Sequence, residues 1–361
     1  MSAVQRVRAI HRRAALAALL AAAFAPLPSR AAPIIADGYV FTNFDFPDAG
    51  NAAGAGTNAN GISNNGTAVG FSIDNAGNFS NFVREPDGTV TPVNAGTQGM
   101  AFAVNSTGSV VGTDGNAVFV PKGGSPQTLT TPGVSATAFG INDKGNIVGQ
   151  YTLASDTTPG FFLANHNGSG FVTINAPSGP NTVNAQGVNN HGQIVGFYVG
   201  NDGQDHGFMA NSSAAVGGVL TGTPIADPMI PAVPGEPGAT FVFSQMLGIN
   251  DHGLAVGYYG DSTTSQHGYF YNTDTGSYSF LDDPAEAFDD GVEVTQITGI
   301  SNSGEISGFY SDADGEFHGF VACKVGVNCV PEPGSLTLMG SGLALLGLGC
   351  LRSRRKAHPH A

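Results

Sequence analysis

Six times along the 361-residue chain one 12-residue phrase returns, written most clearly from Gly187 to Tyr198 as Gly-Val-Asn-Asn-His-Gly-Gln-Ile-Val-Gly-Phe-Tyr. The other copies occupy 61–72, 103–114, 140–151, 248–259 and 299–310. Their turn glycines, Gly66, Gly108, Gly145, Gly192, Gly253 and Gly304, are spaced by 42, 37, 47, 61 and 51 residues. A period in that range marks one supersecondary unit that cannot bury its apolar face alone and stacks on its neighbours. The phrase therefore constrains the architecture strongly. It says much less about what the protein binds.

A second element follows each phrase: Gly160-Phe-Phe, His206-Gly-Phe, His267-Gly-Tyr and His318-Gly-Phe. From the last glycine of the phrase to the glycine of this element is 11 residues (149 to 160, 196 to 207, 257 to 268, 308 to 319), and the first copy keeps the interval from Gly70 to Asn81. The second copy is shortened to Asn116-Ala-Val-Phe. Two apolar pulses with Asp, Asn, Gly and Ser between them predict a β-hairpin. Further pulses come at 171–174 and 278–281, and in the leads into the next phrase at 183–188 and 294–300. Each unit thus supplies four short strands, and no helical periodicity interrupts residues 35–325. Within the phrase, Asn or Asp before glycine suits a turn needing positive φ. Ile194 and Val195 favour strand, Gly196 is expected to admit a neighbouring sheet, and Phe197 and Tyr198 supply packing bulk.

Four strands per unit predict an all-β fold, a six-bladed β-propeller with four-stranded blades, with an open β-solenoid as the alternative. The last unit ends at His318-Gly-Phe-Val, one strand short. The missing strand stands at the other end, as 39–46 before Pro47, and would close the ring without an exposed edge. The phrase followed by His-Gly-Phe resembles the extracellular HAF repeats, named for a His-Ala-Phe element. Glycine replaces the alanine in the elements at His206, His267 and His318. The resemblance covers residues 39 to about 323 and implies an exported repeat protein without an established activity.

The two ends read differently. Residues 1–31 carry Arg6, Arg8, Arg12, Arg13 and Arg30 with no acid, an apolar run at 14–25, and a small-residue exit at Ser29-Arg-Ala31, the pattern of a secretory signal peptide. Domain boundaries follow: signal peptide 1–31, repeat domain 32–328 and C-terminal segment 329–356. That segment holds Val330, Pro331, Glu332 and Pro333, an apolar stretch at 336–351, and a basic tail of Arg352, Arg354, Arg355 and Lys356. The order of motif, apolar helix and basic tail resembles the PEP-CTERM sorting signal. The resemblance implies recognition by a membrane exosortase and transient inner-membrane anchoring through the C-terminal helix. It also implies delivery to the outer surface or extracellular matrix of a Gram-negative, exopolysaccharide-making bacterium.

Between the ends remain four basic residues (Arg84, Lys122, Lys144, Lys324) and 27 acids, a formal charge of 4 − 27 = −23. Such a body repels phosphate backbones, which excludes nucleic acid as a partner. Cys323 and Cys329 flank a five-residue loop and suit a disulfide in an exported chain, with two unpaired thiols as the alternative.

For chemistry, the repeated histidines are expected to cap strand starts, and His191 and His252 to decorate turns. Asp312, Asp314 and Glu316 resemble a short calcium loop, although calcium wants six to eight oxygens and Asp-Gly turns need no metal. The acid-rich run 282–293 is expected to be a solvated loop, and the Pro- and Gly-rich insertion 214–239 a long loop standing off one face. No nucleophile elbow, phosphate loop or zinc motif appears. The favoured expectation is a non-enzymatic surface or matrix protein that binds extracellular polysaccharide, without a cofactor. The alternatives are a polysaccharide-acting enzyme and a calcium-stabilised structural protein.

Overall fold

The computed structural model describes residues 34–326 apart from 97–98, 156, 179–181, 230–237 and 286–293. The signal-peptide segment, Cys329, the sorting motif at Val330 to Pro333, the apolar stretch and the basic tail lie outside the described residues. Among those residues the regular structure is all strand except for one 3-10 turn, Ser212–Ala214.

The strands fall into antiparallel groups of four, one per phrase. The first is Gly56–Ile62, Ala68–Ile73, Phe79–Arg84 and Val90–Pro92, and the second Met100–Val104, Val110–Thr113, Ala117–Val120 and Gln127–Thr128. The third begins with Ser135–Ile141 and the fourth with Val183–Val188. The fifth begins with Phe241–Ile249 and the sixth with Thr295–Ile300. The phrase is the first hairpin of each group. Its second strand and the following element pair as expected from the 11-residue spacing, with Phe197 opposite Gly207 and Gly196 opposite Phe208.

The last glycine of the phrase has a more local purpose than admitting a neighbouring sheet. A Cβ on Gly196 would sit 1.9 Å from the Asn184 carbonyl oxygen of its partner strand and 2.8 Å from the Phe208 ring. Gly70, Gly149 and Gly308 seat Phe82, Phe161 and Phe320 in the same way. These aromatics are fully buried, each burial contributing about 2–3 kcal/mol. The cores lie between successive groups. Val148, Ile174, Ile194, Tyr198 and Phe208 form one cluster, and Phe41, Val256, Ile297, Ile306 and Phe320 another.

Phe41 belongs to the N-terminal strand Tyr39–Phe44, which pairs antiparallel with Phe317–Lys324 over six positions, from Tyr39 opposite Lys324 to Phe44 opposite Gly319. It is the fourth strand of the sixth group, and Ile34–Ala36 pairs on its far side. Phe317 also meets Gly56 of the first group in a parallel bridge.

The insertion 214–239 departs from the expected free loop. Val219–Thr221 adds a parallel fifth strand to the third group beside Val172–Asn175, and Thr223–Pro224 completes the fourth group. The reason is burial: Leu220 and Ile225 keep only 4% and 9% of their surface exposed. Residues 230–237 of the insertion, and 286–293 of the acidic run, lie outside the described residues.

Candidate functional site

The inner strands of all six groups line one cavity of about 210 Å³. Each inner strand carries a β-bulge at the start of the phrase, for example between Ala185 and Gly187 and between Ile297 and Gly299. The bulge bends the strand. The phrase-opening glycines then pack backbone to backbone. A Cβ on Gly187 would come within 3.0 Å of Gly248 Cα, and one on Gly299 within 3.0 Å of Gly61 Cα. The bulged residue of each strand faces the cavity: Asn60, Phe102, Phe139, Gln186, Leu247 and Thr298, with Gln296 beside them. Among the described residues no titratable side chain lines this mouth.

Phe102 and Phe139 continue an aromatic row that runs outward along the same face. Ring centroids are 5.1 Å apart from Phe139 to Phe102, 6.1 Å from Phe102 to Phe71 and 5.6 Å from Phe71 to Phe79. Three of these rings are half-buried and Phe79 is exposed. Around the mouth the amides are held in place. Gln296 donates to Gln266 (2.6 Å), and Gln245 donates to Asp205 while accepting from the Tyr258 hydroxyl (both 2.7 Å).

Residues just after each bulge, Ile62, Val104, Ile141, Val188, Ile249 and Ile300, form an apolar collar. It also lines a second, polar cavity of about 70 Å³. Here the phrase asparagines have a role the sequence reading missed. Asn189 accepts from the backbone N–H of His191 and Gln193, closing its own turn. Its amide also donates to the Asn250 carbonyl of the next unit (2.9 Å). Asn105 to Asn142, Asn142 to Asn189 and Asn250 to Ser301 repeat this inter-unit bond at 3.2, 2.9 and 3.1 Å. A second ladder uses the next residue along. Asp143 N–H donates to Asn190, Asn190 N–H to Asp251, Asp251 N–H to Asn302, and Asn302 N–H to Asn64 (3.1, 2.7, 2.8 and 2.7 Å). Burial pushes the Asp251 carboxyl up, but hydrogen bonds from Asn190 and Asn302 outweigh it and hold it below the ordinary carboxylate value. It is therefore an anionic acceptor tying units together.

The repeated histidines lie near strand starts, as expected, and each is clamped between two aspartates. His206 reaches Asp227 through Nδ1 (3.0 Å) and Asp202 through Nε2 (3.1 Å). His267 Nδ1 lies 3.0 Å from Asp282, with Asp261 3.7 Å from Nε2. His318 Nδ1 lies 3.0 Å from Asp45, with Asp312 3.4 Å from Nε2. Asp45 follows the N-terminal strand, so that strand supplies the sixth unit with what Asp227 and Asp282 supply to theirs. The Asp45 hydrogen bond pushes His318 up to about 9, so the ring is a cation at neutral pH. A different acid is pushed up chiefly by burial, with the neighbouring Asp282 charge adding to it: Asp283, fully buried, stands at about 6.

Of the expected calcium residues, Asp312 and Glu316 come together with His318, whereas Asp314 is exposed and outside that group. Cys323 is disulfide-bonded. Its expected partner Cys329 lies outside the described residues, where no pairing is read. No helix among the described residues is long and apolar enough to cross a membrane.

Residues 330–356 match the PEP-CTERM protein-sorting motif. The chain therefore ends in a signal that implies an exported protein processed by an exosortase. No curated protein matches the chain. Among solved structures it is similar to a gluconolactonase of Xanthomonas campestris, at 12% identity and a TM-score of 0.47 over 82% of this chain and 93% of that one. It is also similar to the Aleuria aurantia lectin, at 12% identity and a TM-score of 0.41 over 77% and 93%. A Burkholderia pseudomallei lectin follows at 15%, 0.36, 75% and 95%. At these scores the likenesses carry no conclusion about ligand or chemistry.

Proposed function

We propose that this is an exported protein of the cell surface or extracellular matrix that binds a neutral polysaccharide at the mouth of a closed six-bladed β-propeller. Ring closure is supported by the contacts between last and first units: Asn302 on Asn64, Gly299 against Gly61, and Phe317 bridged to Gly56. The fourth strand of the sixth blade is the N-terminal one. On this reading residues 1–31 are a signal peptide, 32–328 the propeller, and 329–356 the sorting segment that contacts the membrane transiently before exosortase processing. The disulfide of Cys323 runs to Cys329.

The observation that carries the binding role is the mouth itself. Half-exposed phenylalanines stand in a row beside amides from Asn60, Gln186 and Gln296. Sugars present an apolar ring face that stacks on aromatics and hydroxyls that amides bind as donor and acceptor together. The mouth is uncharged while the body is strongly anionic, which favours a neutral over an acidic polymer. A hydrolase would need a titratable pair within reach of the sugar, and among the described residues none lines this mouth.

A retention assay of the purified full chain on immobilised neutral and acidic polysaccharides tests the role. Retention on at least one neutral polymer, displaced by its free oligosaccharide, is expected. Retention on none, or release of reducing sugar from a polymer, would overturn the reading.

A further inference from the structure

The three histidine clamps occupy one slot in three units, and one difference in sequence sets the sixth apart. Two residues before the histidine stands Gln204 in the fourth unit, Ser265 in the fifth and Glu316 in the sixth. Only the sixth clamp therefore gains a third carboxylate. We propose that Asp312, Glu316 and His318 form a binding site for a divalent transition-metal ion of the zinc class, completed by water.

Two features of geometry support the site. The ligand atoms of the three side chains all lie within 4.8 Å of one another. His318 Nε2 and Asp312 Oδ2 are 3.4 Å apart, long for a charge-assisted hydrogen bond and longer than the 3.1 Å between His206 and Asp202. A tetrahedral ion with bonds of about 2.0–2.1 Å separates its ligands by about 3.3–3.4 Å. The pair is thus spaced as co-ligands.

The ligands are also oriented before an ion arrives. Asp45 holds Nδ1 at 3.0 Å, the carboxylate–histidine arrangement that turns Nε2 toward a metal. The Tyr310 ring stacks on the imidazole at 5.1 Å and 27°. Asp312 Oδ1 accepts the N–H groups of Asp314 (3.0 Å) and Glu316 (2.9 Å), which leaves Oδ2 for the ion. His318 and Asp312 keep 18% and 32% of their side-chain surface exposed, enough for a water ligand to enter.

One imidazole and two carboxylates suit zinc, whereas calcium wants six to eight oxygens. The consequence is structural. Asp45 follows the N-terminal strand and the ligands sit on the last hairpin, so an ion stabilises the pairing of the chain's first and last strands.

The test is isothermal titration and thermal unfolding of the full chain, stripped with chelator, against zinc chloride and calcium chloride. Glu316→Gln, nearly isosteric at a partly exposed position, and Asp45→Asn are run beside it. One zinc per chain should bind and raise Tm, calcium should do neither, Glu316→Gln should weaken zinc at least tenfold with the ion-free Tm unchanged, and Asp45→Asn should weaken it by a smaller factor. Absence of zinc binding, or equal zinc binding by Glu316→Gln, would overturn the site. In the second case the ion sits on other side chains, such as His358 and His360 of the tail.

Discussion

Replacing Asn189 by alanine probes how the units are joined. The side chain is 3% exposed and makes four hydrogen bonds. It accepts from the N–H groups of His191 and Gln193 (both 3.0 Å) and donates to Gln193 Oε1 (2.6 Å) and the Asn250 carbonyl (2.9 Å). A typical bond contributes about 1 kcal/mol, and a buried polar group left without a partner costs about 1–3 kcal/mol. The turn N–H groups border a polar cavity and can rehydrate in part, so Asn189→Ala should cost about 2–4 kcal/mol. Asn189→Ser separates the two functions. Serine holds this slot natively at Ser301, where Oγ accepts the Glu305 N–H (3.1 Å), so the turn survives while the amide's bonds to the Asn250 carbonyl and Gln193 Oε1 are lost, at about 1–2 kcal/mol. Guanidinium unfolding followed by far-UV circular dichroism measures both as shifts in midpoint at constant slope. A cost below about 0.5 kcal/mol for alanine, or serine as damaging as alanine, would refute the assignment of inter-unit coupling to this side chain.

Gly196→Ala should cost more than about 3 kcal/mol, because its Cβ would meet the Asn184 carbonyl oxygen and the Phe208 ring at 1.9 and 2.8 Å; soluble protein with wild-type Tm would contradict the packing argument. Phe41→Ala should cost about 3–5 kcal/mol, as much as Phe320→Ala, since both are buried and their rings meet at 5.2 Å; a negligible cost in chemical unfolding would show the N-terminal strand to be dispensable. Burial raises Asp283 from 3.8 to about 6, so the folded state keeps its proton longer. Stability from this group is full below about pH 4 and lost as pH rises through about 6. Asp283→Asn should flatten that fall and be more stable than wild type by about 1–3 kcal/mol at pH 8 but not at pH 4; parallel pH profiles of unfolding free energy for the two proteins would refute it.

The hairpins were legible because their determinants are local: the 11-residue interval places Gly207 opposite Phe197, and turn glycines need positive φ wherever they stand. The N-terminal strand was legible by likeness to the pulses at 171–174 and 278–281. What the sequence hid comes from residues distant along the chain. Asn189 reads as an ordinary turn asparagine, since its bond to Asn250 spans 61 residues. The Asp partners of the histidine Nδ1 atoms come from 15 to 273 residues away. The insertion read as a loop because two buried residues, Leu220 and Ile225, are too few to outweigh its glycines and prolines in a local reading. The mouth had a signal that went unused: the residue before each phrase varies as Asn, Phe, Phe, Gln, Leu and Thr, while the phrase around it repeats.

The binding claim rests most directly on Phe102 and Phe139, whose half-buried rings line the cavity 5.1 Å apart. Titration calorimetry with an oligosaccharide from the retained polymer, comparing wild type with Phe102→Ala and Phe139→Ala, is the decisive measurement. Stacking of a sugar on such a ring contributes about 1.4 kcal/mol or more, so each variant should lose about tenfold in affinity while keeping its fold. Unchanged affinity in both variants would place the sugar elsewhere and contradict the account.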